Sequence, residues 1–301
     1  MQHEAELLDC LIVGGGAAGL TSAVYLGRYK RKALILDAGG SRLQRIPRTR
    51  NVPGFPEGVE GPELLARMRE HAARYGVATE RVTVQRIERL PDGTFRAEAE
   101  ARSWRARFVI LATGACDVEP EIEGIQAATR AGQVRYCPVC DGYETQGQRV
   151  AVLGRAGHGV RESLFVANFG NQVTWLAMAT QHEVPLTELA QLRDAGVRIA
   201  ESPPHRIECG VDGVGVRVEL QNGQVLAFDT LYPALGLHHA CELATALGAQ
   251  AADNGQLRVD AHQQTSVDGL YVAGDVAVDL NQIAVAAGHA AIAATAIHNR
   301  L

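Results

Sequence analysis

An α/β chain made of two similar three-layer domains, the second inserted into the first, is the architecture the sequence predicts. Three observations carry that prediction. The 301 residues are about twice a typical domain of roughly 150 residues. A strand, glycine turn, helix, strand pattern occurs twice, its glycine turns beginning at Gly14 and at Gly154. A strand candidate at residues 269–273 comes too late to start a new layer and completes the first sheet, which leaves the middle of the chain as an insertion.

The elements follow in order. Residues 10–13 form a short apolar run that enters Gly14, Gly15, Gly16, Ala17, Ala18 and Gly19. Helical periodicity runs from 20 to 29, and a second apolar run, 33–36, ends at Asp37. Residues 84–90, a Pro91-Asp92-Gly93 turn, 95–99 and 108–111 read as a β-meander. The plan then repeats: 149–153 enters Gly154, Arg155, Ala156, Gly157, His158 and Gly159, a helical stretch reaches 169, and 172–176 is the next strand. A second meander covers 205–209, 214–220, an Asn222-Gly223 turn and 225–231. After 269–273 come Gly274, Asp275 and a long alanine-rich helix. The expected domains are 1–116 with 237–301, and 117–236 between them.

Composition narrows the function. Hydrophobic residues at 47% with 21% charged residues describe a globular chain and exclude disorder or a fibre. With 32 glycines against 11 prolines, the glycines serve tight turns and close backbone approaches rather than linkers. A net charge of -5 offers no general attraction to nucleic acid or anionic lipid, so neither partner is expected. No apolar stretch is long enough for a membrane span, and Glu4 and Glu6 stand where a signal peptide needs positive charge. An unprocessed cytoplasmic chain is the expectation.

The first glycine turn reads as a dinucleotide site. Gly14, Gly16 and Gly19 follow a strand, open a helix and are answered by Asp37, 23 residues beyond Gly14. Glycines allow a pyrophosphate to reach the positive end of the helix, and the acid holds ribose hydroxyls. A glycine turn without ligand is the plainer alternative.

Residues 135–142, Arg-Tyr-Cys-Pro-Val-Cys-Asp-Gly, hold the chemistry. Two thiols separated by two residues can close a small disulfide ring, and an adjacent carboxylate can ferry the proton that thiolate chemistry requires. Half of a zinc site and an inert pair are the alternatives. A structural zinc needs four ligands, however, and Cys116, Cys209 and Cys241 are isolated in the sequence, so no metal is expected. Those three are read as small hydrophobes. Asp141 before Gly142 could instead cap a turn.

Together these motifs resemble the low-molecular-weight thioredoxin reductases of the FAD-dependent pyridine nucleotide-disulfide oxidoreductase family. The matching pieces are GGGAAGL at 14–20, NVPGFP at 51–56, ATG at 112–114, CPVCDG at 137–142 and YVAGDV at 271–276, with a partial match at 282–284. The resemblance implies two Rossmann-like domains, with FAD held by Gly14, Gly16, Ala17, Ala18, Gly19, Asp37, Asn51, Gly114, Gly274, Asp275, Gln282 and Ile283. It further implies that Cys140 faces the flavin, Cys137 exchanges with substrate, and Asp141 is the general acid and base. A thioredoxin-like protein or a small dithiol or disulfide is the implied substrate, NADPH the usual donor and a homodimer the usual assembly.

The nicotinamide half departs from that pattern. Gly154, Gly157, Gly159 and Glu162 match the expected site, but Ala156 replaces the glycine at the phosphate approach. Beyond the second strand stand Ala177, Met178, Ala179, Thr180, Gln181 and His182, with no arginine before Arg193 to grip a 2'-phosphate and no acid before Glu183. Arg155 and Arg161 are the remaining phosphate candidates. The alternative function is therefore an NADPH-independent dithiol oxidase using oxygen, or a reductase fed by another carrier. His289 reads as a packed or capped histidine, with proton movement near a flavin or a partner subunit as the alternative, and His158 leaves the same two readings open. Arg42, Arg45, Arg48 and Arg50 read as a solvated basic loop or a contact to FAD or an acidic partner.

Overall fold

A computed structural model describes residues 6–178, 184–210 and 215–301. The chain divides into two compact units, Met1–Cys116 with His238–Leu301, and Asp117–Leu237. Ala179 to Glu183, the stretch expected to hold nicotinamide determinants, lie outside the described residues, as do Glu4 and Val214.

The first unit is organised on one sheet. Strands β1 (Leu7–Val13), β2 (Ala33–Asp37) and β3 (Ala78–Arg81) run parallel in the order β3-β2-β1. β4 (Arg86–Arg89), β5 (Phe95–Ala99) and β6 (Arg102–Leu111) form the expected meander, and β6 lies parallel to β1 on its other side. The late strand, β16 (Leu270–Val272), pairs with the end of β6. The burial of β6 reports both neighbourhoods. Its first half alternates between buried and accessible positions beside antiparallel β5, while residues 108–111 are buried throughout, where β1 and β16 flank the strand. Phe108 and Ile110 enter the core under the helices, and Val109 and Leu111 the core on the opposite face.

Helices α1 (Ala17–Arg28), α2 (Gly61–Arg74) and α8 (Ile283–Arg300) cover the first of those faces. Ala286, Ala290, Ala293, Ala294 and Ile297 share one stripe of α8, and the small side chains of its four alanines let α1 approach closely. Helix α1 begins three residues earlier than its apolar periodicity suggests, because Gly16 takes the cap position and the alanines behind it favour helix. The unit also contains the short helix α7 (Glu242–Thr245).

In the second unit, β8 (Arg149–Gly154), β9 (Gln172–Ala177), β10 (Arg198–Ile199) and β14 (Thr230–Ala234) form a parallel sheet in the order β10-β9-β8-β14. Helices α5 (His158–Ala167) and α6 (Leu186–Asp194) pack on one face. The antiparallel sheet of β11 (Pro204–Cys209), β12 (Val216–Leu220) and β13 (Val225–Phe228) packs with α3 (Ile125–Arg130) on the other. The single strand expected at 225–231 is in fact two. At Asp229 the chain leaves β12 and joins β8, anchored by bonds from the Arg149 N–H to the Asp229 carboxylate at 2.9 Å and from the Asp229 N–H to the Arg149 carbonyl at 2.8 Å. The helix α4 (Pro138–Asp141) carries the cysteine pair, and the short strands β7 (Ala115–Asp117) and β15 (Leu237–His239) pair with each other. Among the described residues no helix is long and apolar enough to cross a membrane.

Candidate active site

The first glycine turn separates glycines required by packing from one that is not. Gly14 has φ +111°, and a Cβ there would stand 2.2 Å from the Ala112 carbonyl oxygen. A Cβ at Gly19 would stand 1.9 Å from the Gly14 carbonyl oxygen, so both glycines seat α1 against the strands. Gly16 has ordinary φ, -88°, and the nearest neighbour of its would-be Cβ is Ser41 Oγ at 3.4 Å. Beyond it, the backbone N–H groups of Ala17, Ala18 and Gly19 find no acceptor among the described residues, and Leu20 begins the helical bonding on Gly16 O at 3.0 Å. Open donors at the positive end of a helix make an anion cradle.

Asp37 closes one side of this cradle. Its Oδ1 accepts the N–H groups of Gly15 at 3.1 Å and Gly39 at 2.9 Å, and its Oδ2 lies 3.7 Å from the Arg69 guanidinium. On the other side Gly274, at φ +83°, brings the chain between the first turns of α1 and α8. A Cβ there would meet Ala18 at 3.0 Å and Ala286 at 3.6 Å. Next to it Arg42 pairs with Asp275 at 2.7 Å, so the first arginine of the basic run has an acidic partner inside the chain. Arg48 pairs with Glu60 in the same way. Asn51 donates to Gln282 Oε1 at 2.9 Å, and Gln282 is the cap residue of α8, with Ile283 its first helical residue. Gly114, at φ +72°, accepts the Ala240 N–H at 3.0 Å.

In the second unit Cys137 and Cys140 are joined in a disulfide, with Cα atoms 5.3 Å apart. Pro138 starts α4 directly after Cys137, and the Cys140 N–H bonds the Cys137 carbonyl at 2.9 Å, which folds the four residues into one turn. The Asp141 side chain caps nothing. Its Oδ1 accepts the Tyr232 hydroxyl at 2.6 Å, and its Oδ2 accepts Arg135 at 3.2 Å. Burial raises the Asp141 pKa above the ordinary carboxylate range, against the opposing pull of Tyr232 and Arg135. Gly142 is fixed by contact, since a Cβ there would stand 2.8 Å from the Phe169 ring. Tyr232 is fully buried in β14. Sequence reasoning does not single it out, although a tyrosine in an otherwise apolar strand has a hydroxyl that needs a partner.

The second glycine turn is built differently. Gly154 and Gly159 press on each other, with a Gly154 Cβ falling 2.8 Å from the Gly159 Cα and a Gly159 Cβ 2.8 Å from Trp175 Nε1. Ala156 is half-buried against the core beneath α5, so its methyl serves packing. The Gly157 N–H donates to Glu188 Oε2 of α6 at 2.8 Å, a contact no sequence motif announces. Glu162 lies on α5, its pKa raised to about 7 by burial, and His158 is shifted down by burial and the Arg161 charge. His289 is buried and meets Asp279 at 3.3 Å, in keeping with a packed histidine. Cys116 and Cys209 are exposed rather than packed as small hydrophobes, because each sits on an accessible position of its strand.

The model of the pyridine nucleotide-disulphide oxidoreductase family matches residues 8–290. Thioredoxin reductase of Mycolicibacterium smegmatis is 28% identical, covering 98% of this chain and 96% of that protein. NADH dehydrogenase of Bacillus subtilis (strain 168) is 30% identical over 97% of this chain and 58% of its own length. The crystal structure of thioredoxin reductase from Streptococcus pyogenes MGAS5005 has a TM-score of 0.88 at 29% identity, covering 97% of both chains. With both glycine turns and the cysteine pair inside the matched span, the chain belongs to the pyridine nucleotide-disulphide oxidoreductase family, as a thioredoxin reductase-like, flavin-dependent disulfide oxidoreductase.

Proposed function

We propose that this chain passes electron pairs between FAD, held by the first unit, and the Cys137–Cys140 disulfide, and from there to a thioredoxin-like protein or a small disulfide. The observation that carries this reading is the disulfide placed directly before a buried carboxylate with two side-chain partners. The open N–H groups of Ala17, Ala18 and Gly19, and the space beside Gly16, fit the pyrophosphate of a flavin dinucleotide. Asp37 is assigned to ribose, and Asn51, Gly114, Gly274, Asp275, Gln282 and Ile283 to the rest of the cofactor. Bound FAD supplies two-electron exchange with thiols.

The exchange step belongs to the chain itself. Reduced Cys137, as thiolate, attacks one sulfur of the substrate disulfide; that S–S bond breaks, and the departing sulfur takes a proton from Asp141. The Cys140 sulfur then attacks Cys137 in the mixed disulfide and releases the second substrate thiol. Cys137–Cys140 is restored, and the substrate has gained two electrons and two protons. Burial raises the pKa of this carboxyl, so it holds a proton more readily than an exposed carboxylate does. Run backwards, the same steps oxidise a dithiol.

NADPH is the family's usual donor. The Glu188 contact at the second glycine turn favours the alternative, a dithiol oxidase or a reductase fed by another carrier. Anaerobic titration of the flavin band with NADPH, NADH and dithiothreitol tests the core reading. Dithiothreitol is expected to bleach the flavin, and a colourless protein that refuses FAD would overturn it.

Tyr232→Phe tests the proton role of Asp141. The lost hydroxyl favoured the ionised carboxylate, so the Asp141 pKa should rise further and the limb of the pH–rate profile governed by it should move to higher pH. Stability should fall by only about 1 kcal/mol. An unmoved profile would remove Asp141 from the proton path.

A further inference from the structure

The two glycine turns share six backbone positions, Gly14 to Gly19 and Gly154 to Gly159, and differ in what their N–H groups meet. At the first turn the groups of Ala17, Ala18 and Gly19 are open among the described residues. At the second, the matching groups of Gly157, His158 and Gly159 are all taken. Glu188 Oε2 accepts the first at 2.8 Å, and the carbonyls of Ala156 and Arg155 accept the others, each at 2.9 Å. A helix terminus binds an anion through open donors and the helix dipole together. Here a carboxylate of the chain already sits against the positive end of α5.

Packing keeps it there. Leu189 and Leu192 of α6 lie in the same core as Val160 and Val166 of α5, so the backbone around Glu188 is anchored to the turn it caps. Packing also accounts for the glycines without any ligand, because Gly154 and Gly159 are required by their contacts with each other, with Ala234 and with Trp175. A pyrophosphate arriving at this turn would have to displace Glu188 or lie against its charge, and like charges at close range repel. The residues of the second turn therefore do not fit a nicotinamide dinucleotide.

We infer that Glu188 is a specificity-determining residue, an internal anion that closes the second glycine turn to NADPH and NADH, leaving a dithiol as the electron source of the flavin. This inference rests on the flavin and dithiol chemistry proposed above. It makes a directional demand on variants. The Arg161 guanidinium lies 3.7 Å from where a Gly157 Cβ would stand, so neutralising Glu188 leaves a cation beside the turn and frees one donor.

The test uses FAD-loaded wild-type protein, Glu188→Gln and Glu188→Ala, without oxygen. Calorimetric titration with NADPH and with NADH gives the affinity, and the flavin band gives electron transfer. Wild type is expected to show neither heat nor bleaching at about 1 mM nucleotide, while at least one variant binds a nucleotide at least tenfold more tightly than wild type. Micromolar binding to wild type would overturn the inference. So would variants that fold like wild type and still bind nothing, because the carboxylate would then not be what closes the turn. Dithiothreitol keeps the two readings apart: if it fails to bleach any of the three proteins, the flavin and dithiol reading falls while the calorimetry still reports on Glu188.

Discussion

Cys140→Ser is expected to abolish dithiol-driven bleaching of the flavin and to lower thiol–disulfide turnover by on the order of 10³-fold or more. A serine oxygen cannot form the S–S bond that stores the electron pair, and its hydroxyl is not ionised at neutral pH to take part in exchange. The loss is not explained by unfolding. The disulfide closes a loop of only four residues, 137–140, and chain-entropy reasoning gives such a ring about 2 kcal/mol. The variant should therefore remain folded and yellow, as absorbance and a thermal melt would show. Cys137→Ser should lose substrate turnover as well, because the mixed disulfide cannot form. A flavin-bearing sensor without turnover predicts the opposite, a Cys140→Ser protein unaltered in every measured rate. Turnover that persisted above a tenth of wild type would remove the cysteine pair from the electron path.

Much of the fold was legible because glycine spacing and apolar runs are local properties. The strand before Gly14, the acid ending β2 and the late strand itself all declare themselves within a few residues. What stayed hidden depends on distance in the chain. Tyr232 reaches Asp141 across 91 residues, and Glu188 reaches Gly157 across 31, so neither pairing leaves a spacing that a motif could capture. The break at Asp229 was hidden for a related reason. Residues on both sides of it favour strand, and only the change of partner from β12 to β8 divides them. In the second turn the sequence directed attention to Ala156, whereas the side-chain carboxylate that meets the turn comes from another helix, at Glu188.

Within the first turn, two alanine substitutions one helical turn apart are expected to fail in different ways. Gly19→Ala puts a methyl 1.9 Å from the Gly14 carbonyl oxygen, which is backbone and cannot swing aside, so α1 must move away from β1. Overpacking of this kind costs about 1–3 kcal/mol and more where backbone is forced apart, so the thermal midpoint should drop by several degrees and FAD should be lost with it. Gly16→Ala meets nothing closer than Ser41 Oγ at 3.4 Å, at a φ that any residue adopts. Without cofactor its stability should stay within about 0.5 kcal/mol of wild type. The added methyl would nevertheless stand where backbone and pyrophosphate have to meet, and crowding of about 1–3 kcal/mol corresponds to FAD binding weaker by roughly 10- to 100-fold. Melting the apoproteins and titrating each with FAD separates the two effects. If Gly16→Ala retained FAD as tightly as wild type, the open N–H groups of Ala17 and Ala18 would not be the pyrophosphate cradle, and the flavin would have to be held by other residues of the first unit.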